Sequence, residues 1–74
     1  MKLHNEPRGY KITIATTTIP DGILTLSRHE VGTWHGTEKA DIVYFAGLNG
    51  RGFIYTGKSA EKRARDCFDN SRGV

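Results

Sequence analysis

The stretch DIVYFAGLNGRGFIYT, residues 41–56, decides the fold because it contains two strand-forming runs joined by a minimal turn. Asn49 and Gly50 both tolerate positive φ, and an Asn-Gly pair between apolar runs is the strongest short-range signal of a two-residue hairpin. The turn therefore predicts an antiparallel pair of strands, with Phe45 directly opposite Ile54.

This register divides the hairpin's side chains between the two faces of the sheet, because successive strand residues point in opposite directions. One face carries Val43, Phe45 and Ile54, and the other carries Ile42, Tyr44, Phe53 and Tyr55. A single helix covers only one face of a four-stranded sheet. The aromatic face is therefore either a free binding surface or the core beneath a helix, and the sequence leaves both alternatives open.

The chain before this hairpin predicts a second one. YKITIATTTI (residues 10–19) is rich in β-branched residues and alternates, with Tyr10, Ile12 and Ile14 on one face and Lys11, Thr13, Ala15 and Thr17 on the other. Pro20, Asp21 and Gly22 supply a turn, and ILTLSRHEV (residues 23–31) returns as a strand. Residues 1–9 are predicted to be a flexible polar leader, since Pro7 and Gly9 discourage regular structure.

The chain after the hairpin predicts a helix in SAEKRARDCFDN, residues 59–70. Ser59 is a candidate N-cap, and Gly73 lies where a residue of positive φ ends a helix. One apolar stripe recurs at helical spacing: Ala60, Ala64, Cys67 and Phe68. The charged side chains pair at i, i+4, as Glu61–Arg65, Lys62–Asp66 and Arg65–Asp69, so the helix surface is expected to be neutral.

The predicted fold class is therefore α+β: a small antiparallel four-stranded β-meander with one C-terminal α-helix packed on one face. Residues 10–74 are predicted to form a single β-β-β-β-α domain, because 74 residues leave no room for a second core.

The segment GFIYTGKS, residues 52–59, matches the phosphate-loop pattern G-x-x-x-x-G-K-[ST]. A working phosphate loop follows a buried parallel strand, whereas the hairpin turn makes this strand antiparallel. The variable positions Phe53, Ile54 and Tyr55 are bulky strand formers, unlike the residues of an open loop. The motif therefore predicts a strand followed by a helix, and no nucleotide cofactor is expected.

The C-terminal segment TGKSAEKRARDCFD, which follows the last strand, resembles small DNA-binding domains with a three-stranded sheet and a C-terminal helix. Plant AP2 domains and phage integrase arm-binding domains share this order of elements, over roughly residues 42–70 here. Their characteristic strand motifs are absent, and this chain has an additional N-terminal hairpin. The resemblance implies an alternative function, a small sequence-specific DNA-binding module that reads a groove with its sheet.

Composition limits the remaining possibilities. The net charge of +3 permits attraction to phosphate backbones or to an acidic protein surface. The single cysteine, Cys67, excludes an internal disulfide, and an intracellular, cytoplasmic setting is expected, the host cytoplasm if a phage encodes the chain. The longest apolar run, IVYFA, is too short to span a membrane. The three histidines and Cys67 match no common ligand spacing, so no metal site is predicted.

These observations predict a binding protein without catalytic activity. It is expected to dock on a nucleic acid or a nucleoprotein machine, like the small inhibitors that phages encode against host systems, including anti-CRISPR proteins. A protein partner is expected, DNA or RNA is a further possibility, and a homodimer is compatible with the small core. The predicted binding residues are the aromatic face, its basic edge and an aromatic loop residue: Tyr44, Phe53, Tyr55, Arg28, Arg51, Lys58 and Trp34.

Overall fold

The structure is a computed structural model that describes residues 3–32 and 41–73. Along these residues the elements are β1 (His4–Asn5), β2 (Tyr10–Ile19), β3 (Gly22–Val31), β4 (Asp41–Leu48), β5 (Arg51–Tyr55) and α1 (Ala60–Ser71). The strands form one antiparallel sheet in the order β1-β5-β4-β3-β2. The predicted α+β class, with an antiparallel sheet and a C-terminal helix, is confirmed.

The predicted number of four strands is wrong, because the segment predicted as a flexible leader contains a fifth. In β1, His4 pairs with Gly52 and Asn5 pairs with Arg51, which extends the sheet beyond β5. Two residues are too few to show the alternation by which a strand is recognised in a sequence. This strand exists because β5 offers it a free edge.

Both predicted hairpins form. Asn49 and Gly50 have φ values of 53° and 84°, the positive angles of a type I′ turn. Phe45 stands opposite Ile54, which confirms the predicted register of β4 and β5. The first hairpin turns at residues 20–21, and Gly22 adopts the expected positive φ, 143°.

A β-bulge in β2 corrects the predicted alternation of that strand. Thr13 stands opposite Ser27, but Ala15 stands opposite Leu26, so β2 advances two residues while β3 advances one. The extra residue is Ile14, and a bulge of this kind reverses which face the following side chains occupy. Ala15 therefore shares the face of Leu26, whereas unbroken alternation had placed it on the opposite one.

The core lies between α1 and one face of the sheet. Leu24 and Leu26 of β3 and Ala46 of β4 pack against Ala64 and Phe68 of the helix. These five residues are each at most 5% exposed. The helical stripe predicted from the sequence is therefore the face that the helix buries.

The helix packs on the aromatic face of the β4–β5 hairpin. Tyr44 and Tyr55 both lie against the core cluster and are only partly exposed. Of the two alternatives that the sequence left open, the one with aromatic residues in the core beneath the helix describes these two side chains. The reason is the register itself, which places Tyr44 on the same face as the apolar side chains of β3 that the helix needs to cover.

The start of the helix differs in part from the prediction, and its end agrees with the prediction. Ser59 is the N-cap residue, as predicted, but it has a left-handed φ of 66° and its side chain makes no capping hydrogen bond. Its carbonyl instead accepts the Arg63 N–H at 2.9 Å. Gly73 has φ 81° and donates its N–H to the Asn70 carbonyl at 3.2 Å, which confirms the predicted termination.

Residues 6–9, called here the crossing segment, run across the sheet on the face opposite the helix. They connect β1 and β2, which lie at opposite edges of the sheet. Glu6 forms an ion pair of 2.7 Å with Lys11, and the register places Lys11 on the same face as His29. On this face Phe45, Ser27 and His29 are 0% exposed, so the crossing segment adds a second buried layer to the fold.

Candidate functional site

The structure distributes the predicted binding residues along the helix-covered face. Arg28, Tyr44 and Tyr55 stand in one row across β3, β4 and β5, and Lys58 follows in the loop before the helix. Phe53 stands in the adjacent row and Arg51 in the row after it, beside the C-terminal half of the helix. Trp34 lies outside the described residues.

The helix is too short to cover the whole face. β2 and β3 have ten residues each, about 33 Å of strand. α1 has 12 residues, about 18 Å of helix. Its contacts concentrate on Leu24, Leu26 and Ala46, toward the hairpin turns. The end of the face where β2 begins and β3 finishes therefore lies beyond the helix.

This uncovered end carries an exposed apolar surface, called here the sheet-end patch: Tyr10, Ile12, Arg28, Ile42 and Tyr44. Tyr10, Glu30 and Ile42 stand in one row across the sheet, and Ile12, Arg28 and Tyr44 stand in the next. Tyr10 is 69% exposed, Ile12 39% and Ile42 43%. Large apolar side chains that are exposed together in this way are typical of a contact surface.

Cationic side chains border the sheet-end patch on the side of the helix start. Within residues 3–32 and 41–73, no carboxylate lies within 4.0 Å of Arg28, Lys58 or Arg63. The Arg63 guanidinium lies 5.6 Å from the centre of the Tyr55 ring and donates to the Thr56 carbonyl at 2.6 Å. The positive charge at this end is therefore not neutralised by an ion pair.

The rest of the helix surface is neutralised, as expected. Two of the three predicted i, i+4 pairs form, Glu61 with Arg65 at 2.9 Å and Lys62 with Asp66 at 3.3 Å. The third does not, because Asp69 pairs with Arg72 at 2.8 Å instead. The helix start, with Lys58 and Arg63, is thus more attractive to an anion than the remainder of α1.

Tyr55 closes the patch toward the core and stays protonated. Burial raises the pKa of the Tyr55 hydroxyl to about 12, the neighbouring Cys67 side chain acts in the same direction, and the Arg63 guanidinium opposes them. The hydroxyl is therefore neutral at physiological pH. Its role at this position is packing, and no acid–base step is assigned to it.

A serine–histidine pair, which the sequence analysis did not identify, lies on the opposite face. Ser27 Oγ and His29 Nε2 are 2.7 Å apart, within the distance of a nucleophile and its base. Both side chains are 0% exposed beneath the crossing segment, so no substrate reaches them in this structure. The spacing of two residues on one strand face is the signal that places them together.

No metal-binding cluster is found in the described part of the chain: no three His, Cys, Asp or Glu side chains gather there. Likewise, α1 is neither long nor apolar enough to cross a membrane, and residues 3–32 and 41–73 contain no helix that is.

Sequence reasoning identified Arg28 and Tyr44 but missed the most exposed members of the patch, Tyr10, Ile12 and Ile42. The signal available in the sequence was the difference in length between the predicted helix and the predicted strands. A predicted helix of twelve residues is much shorter than predicted strands of nine or ten, so one end of their shared face had to remain uncovered.

Comparison with known proteins gives no match: no protein-family model, curated protein or solved structure is similar to this chain.

Proposed function

We propose that this chain is a non-catalytic binding protein that docks on a nucleic acid, free or within a nucleoprotein machine, through the sheet-end patch. The observation that carries the proposal is the exposure of Tyr10, 69%, beside the row that holds Ile12 and Arg28; its own row holds Glu30 and Ile42. An exposed aromatic ring stacks on an unpaired base of any sequence, which contributes about 1–3 kcal/mol per base.

The charges at this end support an anionic partner. Arg28, Lys58 and Arg63 have no carboxylate partner among the described residues. Lys58 is exposed, whereas the Arg28 Nε is buried and Arg63 also donates to the Thr56 carbonyl. Within the two patch rows Glu30 and Arg28 balance each other, and Lys58 and Arg63 add positive charge beside them. Single strands suit this surface better than a duplex, because bases must be unstacked to lie on the Tyr10 ring.

The alternative of a DNA-binding module that places its sheet in a groove is less well supported. Such a module needs an unobstructed sheet face. Here the helix lies on one face, and the crossing segment with its Glu6–Lys11 ion pair runs over the other. The end of the sheet is the accessible part.

Inhibition of a host machine, as small phage-encoded inhibitors achieve it, stays a prediction.

Salt dependence tests the proposal. We predict that a fluorescently labelled single-stranded oligonucleotide binds at about 50 mM salt and that affinity falls about 20-fold by about 200 mM, as expected for three neutralised phosphates. Binding is measured by fluorescence anisotropy. Affinity that changes less than about threefold over this range contradicts phosphate-driven docking and favours an apolar protein partner. No binding at the lower salt concentration excludes the nucleic-acid proposal.

A further inference from the structure

A cavity of about 130 Å³ lies at the opposite end of the helix-covered face from the sheet-end patch. It lies between the C-terminal half of α1 and the strands near the hairpin turns. Its apolar lining is formed by Leu24, Ala46, Leu48, Phe53, Cys67 and Phe68. Two of these, Leu24 and Ala46, belong to the core, so the cavity is continuous with the best-packed part of the protein.

The size and lining of the cavity select an apolar group. An apolar cavity of roughly 150 Å³ in another protein holds one benzene molecule, so a comparable volume here accepts a single ring or a short alkyl chain. Ala46, which has only a methyl group, leaves this space, and Gly47 and Gly52 contribute backbone to the lining.

The polar groups at the cavity complement an acid. Arg51 lines the cavity from β5, on the face it shares with Leu48, and is exposed to solvent. Within the described residues no carboxylate lies within 4.0 Å of its guanidinium. Ser71 adds a hydroxyl from the end of the helix. A guanidinium recognises a carboxylate through paired, charge-assisted hydrogen bonds.

We propose that this cavity binds a small organic acid whose apolar end is about the size of a benzene ring, with the ring against Phe53 and Phe68 and the carboxylate at Arg51. The site is separate from the sheet-end patch and does not depend on nucleic-acid binding. Cavities of established ligand sites are usually larger, about 300–1,000 Å³, so the expected ligand is small and its affinity is in the millimolar range.

The probe is phenylacetate, titrated into the isotopically labelled full chain and followed by amide and methyl NMR shifts. We expect saturable shifts at Leu24, Cys67 and Phe68, with no comparable shift at Tyr10. The neutral analogue 2-phenylethanol should bind the wild-type chain at least about tenfold more weakly than phenylacetate does, since a charge-assisted hydrogen bond is lost. For the same reason, phenylacetate should bind the Arg51→Gln variant at least about tenfold more weakly than it binds the wild-type chain. Lys62→Gln is the matched control, because Lys62 is an exposed helix cation whose partner is Asp66, and it should leave phenylacetate affinity unchanged.

Three outcomes overturn the inference. Absence of saturable shifts at the cavity residues excludes the site. Equal affinity of wild-type chain and Arg51→Gln for phenylacetate excludes recognition of the carboxylate. A second measurement does not depend on NMR spectra. Bound phenylacetate should slow the alkylation of Cys67, which lines the cavity and is partly exposed. An unchanged alkylation rate at saturating phenylacetate contradicts the inference. Loss of oligonucleotide binding with intact phenylacetate binding would affect only the proposed function.

Discussion

At the scale of single residues, His29 combines complete burial with an unpaired ring nitrogen. Its Nε2 lies 2.7 Å from Ser27 Oγ, and its Nδ1 is buried with no hydrogen-bond partner among the described residues. Burial lowers the pKa of His29 below its usual value of about 6.5; the Lys11 ammonium acts in the same direction and the Glu6 carboxylate opposes it. The neutral imidazole is therefore the form that the folded chain favours.

This preference predicts acid sensitivity. Because the pKa of His29 is lower folded than unfolded, its contribution to the free energy of unfolding is fully present above about pH 6.5 and is lost as the pH falls toward the folded value. Thermal unfolding at pH 7, 6 and 5 should show stability falling by at most about 1.4 kcal/mol per pH unit from this group. His29→Gln should flatten that slope, while His4→Gln, an exposed histidine in β1, should retain it. An equal slope in His29→Gln and wild type contradicts this assignment.

Residue type predicted the local geometry of Asn49 but not its long-range contacts. The Asn-Gly pair gave the turn directly, since both residues tolerate positive φ. The Asn49 side chain also accepts the Ile23 N–H at 3.0 Å and donates to the Asp21 carbonyl at 3.3 Å. These bonds join the two hairpin tips. They depend on β3 lying beside β4, which no local pattern specifies.

At the scale of elements, hydrophobic patterns of period 2 and 3.6 located the two hairpins and the helix. The same patterns did not predict the features that depend on tertiary contacts. The bulge at Ile14 reverses the alternation of β2 without any sequence signal such as glycine. Strand β1 has only two residues and forms because β5 offers it an edge. The crossing segment contains Pro7 and Gly9, which indicate irregular backbone, but irregular backbone need not be flexible, and Pro7 is half-buried here.

The crossing segment is predicted to be a stabilising part of the fold. Removing residues 1–9 exposes the face that carries Phe45, and we expect this deletion to lower the melting temperature and increase binding of an anilinonaphthalene dye. Loss of the contacts around a fully buried aromatic side chain costs about 3 kcal/mol or more. Glu6→Gln is the matched control: it removes only the partly exposed ion pair with Lys11, and its cost should be below about 1 kcal/mol.

Equal melting temperatures for the deletion variant and the full chain would show that residues 1–9 are the flexible leader expected from sequence. The buried layer on that face would then need another explanation.

At the scale of the whole molecule, the mismatch in length between helix and strands leaves the sheet-end patch uncovered. The helix covers the part of the face toward the hairpin turns, and the small cavity lies there, between the C-terminal half of the helix and the strands. The sequence predicted the register of β4 and β5 and hence which residues share a face with Tyr44. It did not predict which part of that face the helix covers, because this depends on how Phe68 and Ala64 pack on Leu24 and Leu26.

The most direct test of the central claim, docking through the sheet-end patch, compares two alanine variants in oligonucleotide binding. Tyr10 and Ile23 are both exposed apolar side chains, at 69% and 53%, on different faces and at opposite ends of the first hairpin. Tyr10→Ala should weaken binding of a single-stranded oligonucleotide at least about fivefold, the loss of one stacked base. Ile23→Ala should leave the affinity within about twofold. Equal affinities for Tyr10→Ala and wild type, or a larger loss with Ile23→Ala, would contradict docking through this patch.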